Sequence, residues 1–69
     1  MIKVQSMTNT DSDENTFKIS AFADTKSEVG SGAKFVGLPD GATIEMGSTV
    51  MTASGELAFM KSDGTWSWT

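Results

Sequence analysis

The stretch TVMTASGELAFMKSDGTWSW, residues 49–68, decides the fold, because short runs of alternating or β-prone residues are cut there by two glycine turns. Ser54-Gly55 and Ser62-Asp63-Gly64 are turn signals, and they bound an extended run from Glu56 to Lys61. In a strand over that run Leu57 and Phe59 face one way and Ala58 and Met60 the other, while Trp66 and Trp68 share one face of the last strand. Upstream, Thr43–Met46 and Thr49–Thr52 flank Gly47-Ser48, so turn signals recur at the regular, short spacing of a β-meander. Asp63-Gly64 is a preferred pair for a two-residue type I′ loop, with φ positive at both residues, which would aim Trp66 back at Ala58 or Met60.

Moving toward the N-terminus, Leu38-Pro39-Asp40-Gly41 reads as a chain reversal with proline presetting φ at its second position, after a short extended run from Ala33 to Gly37. Phe17–Phe22 and Ile2–Met7 alternate as half-buried strands do. Phe17, Ile19 and Ala21 take one face, Lys18, Ser20 and Phe22 the other; Ile2 and Val4 oppose Lys3 and Gln5. The polar stretch TNTDSDENT, residues 8–16, is the expected loop of a wide hairpin between these two strands. In ADTKSEVGSG, residues 23–32, Asp24 or Thr25 is placed to cap and Glu28 to complete a capping box, but Gly30 and Gly32 limit the element to a turn or 3₁₀ segment. The expectation is one all-β domain over residues 1–69: a small antiparallel meander or partly closed barrel of five to six short strands, with at most one short helical turn.

A chain of 69 residues builds a thin core; a domain near 60 residues buries only about 60% of the surface its unfolded chain exposes. Cysteine and histidine are absent, so neither disulfide nor the usual zinc ligands brace it, and association with identical copies is the expected compensation. Nine acidic residues against five lysines, without arginine, give a net charge of −4. That balance opposes nucleic-acid binding, whose affinity rests on Lys and Arg displacing counterions from phosphates. Neither an apolar signal-like segment at MIKVQSMTNTD nor a run long enough to cross a bilayer is present, so synthesis in the cytoplasm, with no membrane partner, is expected.

Without histidine, cysteine, arginine or tyrosine the chain lacks nearly every common general base, strong nucleophile and oxyanion clamp, and no enzymatic role, cofactor or metal is expected. Asp11-x-Asp13-x-Asn15 matches the opening of a calcium loop, but the sixth position is Thr16 where glycine is needed, and the twelfth is Phe22 where a bidentate glutamate is needed. A solvated acidic loop is the reading preferred there. Gly30-Ser31-Gly32 lacks the G-K-[ST] of a phosphate cradle and reads as a turn. The five methionines read as fillers of irregular gaps. Trp66 is expected in the core, and Trp68 either covers the sheet edge or meets a partner.

From Phe22 onward the chain resembles a family of short virion-associated proteins of tailed bacteriophages and prophages, of the head-fibre-like or structural kind. The residues that carry the likeness are FADTKSEV at Phe22–Val29, the G-L-P-x-G turn at Gly37–Gly41, GSTVMTA at Gly47–Ala53 and KSDGTW at Lys61–Trp66. They fall within about two thirds of the chain, and residues 1–16 contribute nothing. The resemblance implies a virion structural protein, on the head surface or in a small fibre. Its implied partners are other virion proteins and further copies of itself, with a trimer as the expected number. Phe22, Met51, Met60 and Trp68 are the residues expected at that interface. A host-interaction protein acting as an acidic inhibitor and a small carbohydrate-binding module are the alternatives.

Overall fold

The structure, a computed structural model, describes residues 1–9, 15–30 and 33–69. Seven strands form one sheet: β1 (Ile2–Asn9), β2 (Thr16–Ala23), β3 (Phe35–Val36), β4 (Thr43–Ile44), β5 (Thr49–Thr52), β6 (Leu57–Met60) and β7 (Trp66–Trp68), with one 3₁₀ turn at Lys26–Glu28. Their order across the sheet is β3-β1-β2-β5-β6-β7, and β4 pairs with β2 below β5. The all-β expectation holds, and the sheet remains open.

β1 and β2 make the expected hairpin, in which Ile2 opposes Ala23 and Val4 opposes Ala21. The register shifts between Val4 and Ser6, so that Met7 and not Ser6 comes to lie opposite Ile19. A single inserted residue reverses which face each later side chain takes. The bulge therefore converts an even-numbered apolar series, Ile2 and Val4, into an odd one that continues at Met7. Both strands run further toward the hairpin loop than the sequence suggests, to Asn9 and from Thr16. The calcium-like Asp11 and Asp13, and the Ser31-Gly32 pair, lie outside the described residues.

The larger departure from a meander is that three pairings are parallel. β3 lies parallel to β1, with Ile2 opposite Phe35, while β4 and β5 both lie parallel to β2. Parallel neighbours need a crossover of a dozen or more residues. Asp24 to Ala42 supplies one, leaving β2 at Ala23, touching the far side of β1 as β3 and returning to the opposite edge of β2. Two tight turns carry the return. The Leu38 N–H donates to the Phe35 carbonyl (3.2 Å) and the Ala42 N–H to the Pro39 carbonyl (3.1 Å). Gly37 (φ 100°) and Gly41 (φ 78°) occupy the third position of the two turns, where only glycine accepts positive φ without strain. Pro39 thus opens the second turn and does not sit at its second position, and the chain does not fold back on β3.

β4 and β5 are two pieces of one edge, separated by the Glu45–Ser48 turn, and the break falls opposite Ile19. There the backbone ladder has no acceptor to offer. The Ser48 hydroxyl takes its place, accepting the Ile19 N–H at 2.9 Å. Ser48 is fully buried, at 0% exposure, and Ile19 is 3% exposed, so water cannot substitute freely.

β5, β6 and β7 form the antiparallel meander expected, with Val50 opposite Ala58 and Met60 opposite Trp66. Both of its turns follow one pattern. The Gly55 N–H donates to the Thr52 carbonyl (3.0 Å) and the Thr52 N–H to the Glu56 carbonyl (2.9 Å); the Gly64 N–H donates to the Lys61 carbonyl (3.0 Å) and the Lys61 N–H to the Thr65 carbonyl (2.8 Å). This is the three-residue loop in which a type I turn is followed by a left-handed glycine. The type I′ expectation for Asp63-Gly64 is therefore corrected: no described non-glycine residue has positive φ. Asp63 instead bonds forward, its Oδ1 accepting from the Thr65 N–H (3.0 Å) and hydroxyl (2.7 Å), which holds it in the type I conformation.

The core consists of Ile2, Ile19, Ala21, Ala23, Val29, Val50 and Ala58 on the concave side of the sheet. The sheet curls until its two ends approach, and Phe35 on β3 stacks on Trp66 on β7 with centroids 6.0 Å apart and ring planes at 26°. No backbone ladder joins these two strands.

Candidate binding surfaces

The register divides the four residues expected at an interface between two surfaces. Phe22 and Met51 are directly opposed on β2 and β5, and Met51 is in turn opposite Leu57 on β6. All three point to the convex side, since their neighbours Ala21, Ala23, Val50 and Ala58 fill the concave core. Phe59, two residues from Leu57, extends the row. Met51 is 51% and Phe59 40% exposed, which is unusual for apolar residues in a domain with so little core. Met60 and Trp68 lie on the concave side. Met60 is buried, and Trp68 is half-buried opposite Ala58. Leu57 and Phe59 share a face in the sequence pattern, but their neighbours across the sheet follow from the parallel β2–β5 pairing, which the pattern does not reveal.

Charge is distributed unevenly between strands and turns. None of the seven strands contains an aspartate or glutamate; their only charged residues are Lys3 and Lys18. The carboxylates of the described residues sit in turns and connections. Asp24, Glu28 and Glu56 gather near the start of β1, where the Met1 ammonium pairs with Asp24 (3.0 Å) and with Glu28, and Lys26 approaches Glu56 (3.9 Å). Those acids are answered by cations and make no continuous acidic face. Glu28 also accepts the Thr25 N–H at 2.9 Å, the capping-box contact expected from sequence. At the far turn the Thr65 hydroxyl and N–H hold the Asp63 carboxyl below the ordinary carboxylate range.

On the concave side, between the approaching ends of the sheet, is an open cleft of about 540 Å³. Phe35, Leu38, Ile44, Met60, Trp66 and Trp68 form its apolar wall, and Thr43 and Thr65 add polar lining. The last strand is fixed at its end by Thr69, whose N–H (2.9 Å) and hydroxyl (3.1 Å) both donate to the Leu57 carbonyl. Trp68 carries the Lys26 ammonium over its ring at 5.2 Å. Trp66 and Trp68 are both half-buried and pack against the core from the same wall, so the structure does not divide them as the sequence reading does. Among the described residues no group of three or more acidic side chains is placed to hold a metal ion, and no helix is long and apolar enough to cross a membrane. No protein family, curated protein or solved structure matches the chain.

Proposed function

We propose that this chain is a non-enzymatic structural protein of a tailed-bacteriophage particle, acting as an oligomer at the head surface or in a small fibre. The observation that carries the assembly part of this reading is the convex apolar row of half-buried Phe22 and Leu57 with exposed Met51 and Phe59. It is free of carboxylates in a chain of net charge −4, so copies can meet there without opposing like charges of the dominant sign. The free edges are poorer candidates for assembly. β3 has two residues and β7 three, and short edge strands discourage edge-to-edge pairing. The virion setting is supported by the resemblance of Phe22–Val29, Gly37–Gly41, Gly47–Ala53 and Lys61–Trp66 to phage structural proteins.

Light scattering across a concentration series tests the assembly, with a trimer as the first expected state. Met51→Lys and Phe59→Lys should return the protein to the monomer, lower its melting temperature and abolish the dependence of that temperature on concentration, while leaving the far-ultraviolet circular dichroism unchanged. A wild-type chain that stays monomeric at the highest concentration refutes the assembly. Mass spectrometry of purified particles tests the setting, and absence from particles whose other head proteins are detected refutes it.

A further inference from the structure

Both tryptophans are half-buried in the wall of the concave cleft, while three of the seven residues of the buried core cluster are alanine. A domain with a thin core gains most stability by burying its largest rings, so holding both at an open cavity is an arrangement that stability alone does not select. Three further features define what the cleft accepts. Its lining contains no charged side chain, in a chain where 20% of residues are charged. Neither indole N–H donates to a described residue, so each remains available to an acceptor. Each ring is also oriented by the protein, Trp66 by its stack on Phe35 and Trp68 by Lys26 and the β6 ladder. The volume lies within the roughly 300–1,000 Å³ of small-molecule sites.

From these observations we infer that the cleft is a binding site for a neutral saccharide, whose apolar ring face lies against Trp66 and Trp68 and whose hydroxyls meet the indole N–H groups, Thr43 and Thr65. The one cation beside the cleft, Lys26 over the Trp68 ring, already faces Glu56 (3.9 Å), so a phosphate- or carboxylate-bearing ligand finds no unanswered positive charge there, and the overall negative charge opposes it further. A purely apolar ligand leaves the indole donors and threonines without partners. This site is on the side of the sheet away from the convex row and is independent of the assembly proposed above.

The two tryptophans are the chain's only ones and tyrosine is absent, so intrinsic fluorescence reports on the cleft directly. Full-length protein is titrated with cellotriose and with tri-N-acetylchitotriose, alongside trigalacturonic acid as the charged probe and benzyl alcohol as the apolar one. At least one neutral trisaccharide should change the emission saturably, with shifts of the two indole N–H resonances in the ¹H–¹⁵N spectrum, and the charged probe should not. Single-ring affinities are expected to be about millimolar, rising with a second and third ring. Trp68→Leu, which keeps an apolar side chain, should weaken binding at least about tenfold, and Trp68→Phe should restore most of it. No response to either neutral trisaccharide at millimolar concentration overturns the proposal, as does an equal response to benzyl alcohol or to the charged probe. Retention of full affinity by a folded Trp68→Leu overturns the stacking role.

Discussion

Replacing Ser48 by alanine removes one oxygen from the interior and nothing else of consequence. That oxygen accepts the Ile19 N–H at 2.9 Å, at the point where β2 passes from pairing with β4 to pairing with β5. The mutant retains the Glu45–Ser48 turn, whose positive φ belongs to Gly47 (φ 88°), so its backbone is unchanged. What remains is a buried donor with no acceptor, and an orphaned buried donor costs about 1–3 kcal/mol. A domain of 60–100 residues loses about 4–8 °C of Tm per kcal/mol, so a drop of several degrees to about 20 °C is expected. Ser6→Ala, an exposed serine on β1, should stay within about 0.5 kcal/mol of wild type and controls for loss of a hydroxyl in general. Amide hydrogen exchange gives the local reading: Ile19 should lose protection in Ser48→Ala more than Ala21 or Ala23 do. If Ser48→Ala melts with the wild type and Ile19 remains fully protected, the hydroxyl is not completing the ladder.

Three further outcomes are expected. Gly55→Ala and Gly64→Ala, at φ 92° and 86° with open space beyond each, should each destabilise by about 1–2 kcal/mol from backbone strain alone, whereas Gly30→Ala, without a positive φ, should be neutral or slightly stabilising; urea titrations distinguish them. Trp66→Ala should cost about 3 kcal/mol, the low end for a large aromatic because the ring is only half-buried, and Trp68→Ala, equally half-buried but without the Phe35 stack, somewhat less; a Trp66→Ala protein that melts with the wild type refutes the packing role of its ring. Because its folded-state value is depressed, Asp63 contributes stability above the ordinary carboxylate range and loses it as pH falls through the depressed value; Asp63→Asn should therefore flatten the acid limb of a Tm-against-pH curve, and an unchanged limb counts against the Thr65 contacts.

Periodicity revealed the strands and most of their faces because alternation is a local property. Phe17, Ile19 and Ala21 share the concave side as the spacing requires, and Leu57 and Phe59 share the convex one. Three features were not legible. The parallel seating of β3 and β4 depends on contacts between residues far apart in sequence, and strands of two residues carry no pattern of their own. The bulge at β1 left no trace in the pattern, because Met7, which it brings opposite Ile19, stays exposed and marks no core position. The Asp63-Gly64 loop misleads because the same dipeptide serves both turn types, and Thr65, which offers Asp63 two donors, favours type I. Of the site residues, the two tryptophans were legible as a pair. Their cleft was not, because Phe35, Leu38 and Ile44 reach it only through the crossover.

The stacked pair of Phe35 and Trp66 is, mechanically, a latch across the mouth of a spring. It joins the two ends of a curled sheet by side-chain contact, with no ladder between those ends. Ring contact of this kind contributes only about 0.5–1.5 kcal/mol beyond the area it buries, much less than the loss of a whole domain. The end strands can therefore part while β1, β2, β5 and β6 stay paired, a partial opening of the kind that native proteins sample well below their global unfolding energy. Tryptophan emission would then move at lower denaturant concentration than far-ultraviolet circular dichroism, and Phe35→Leu would widen the gap between the two transitions.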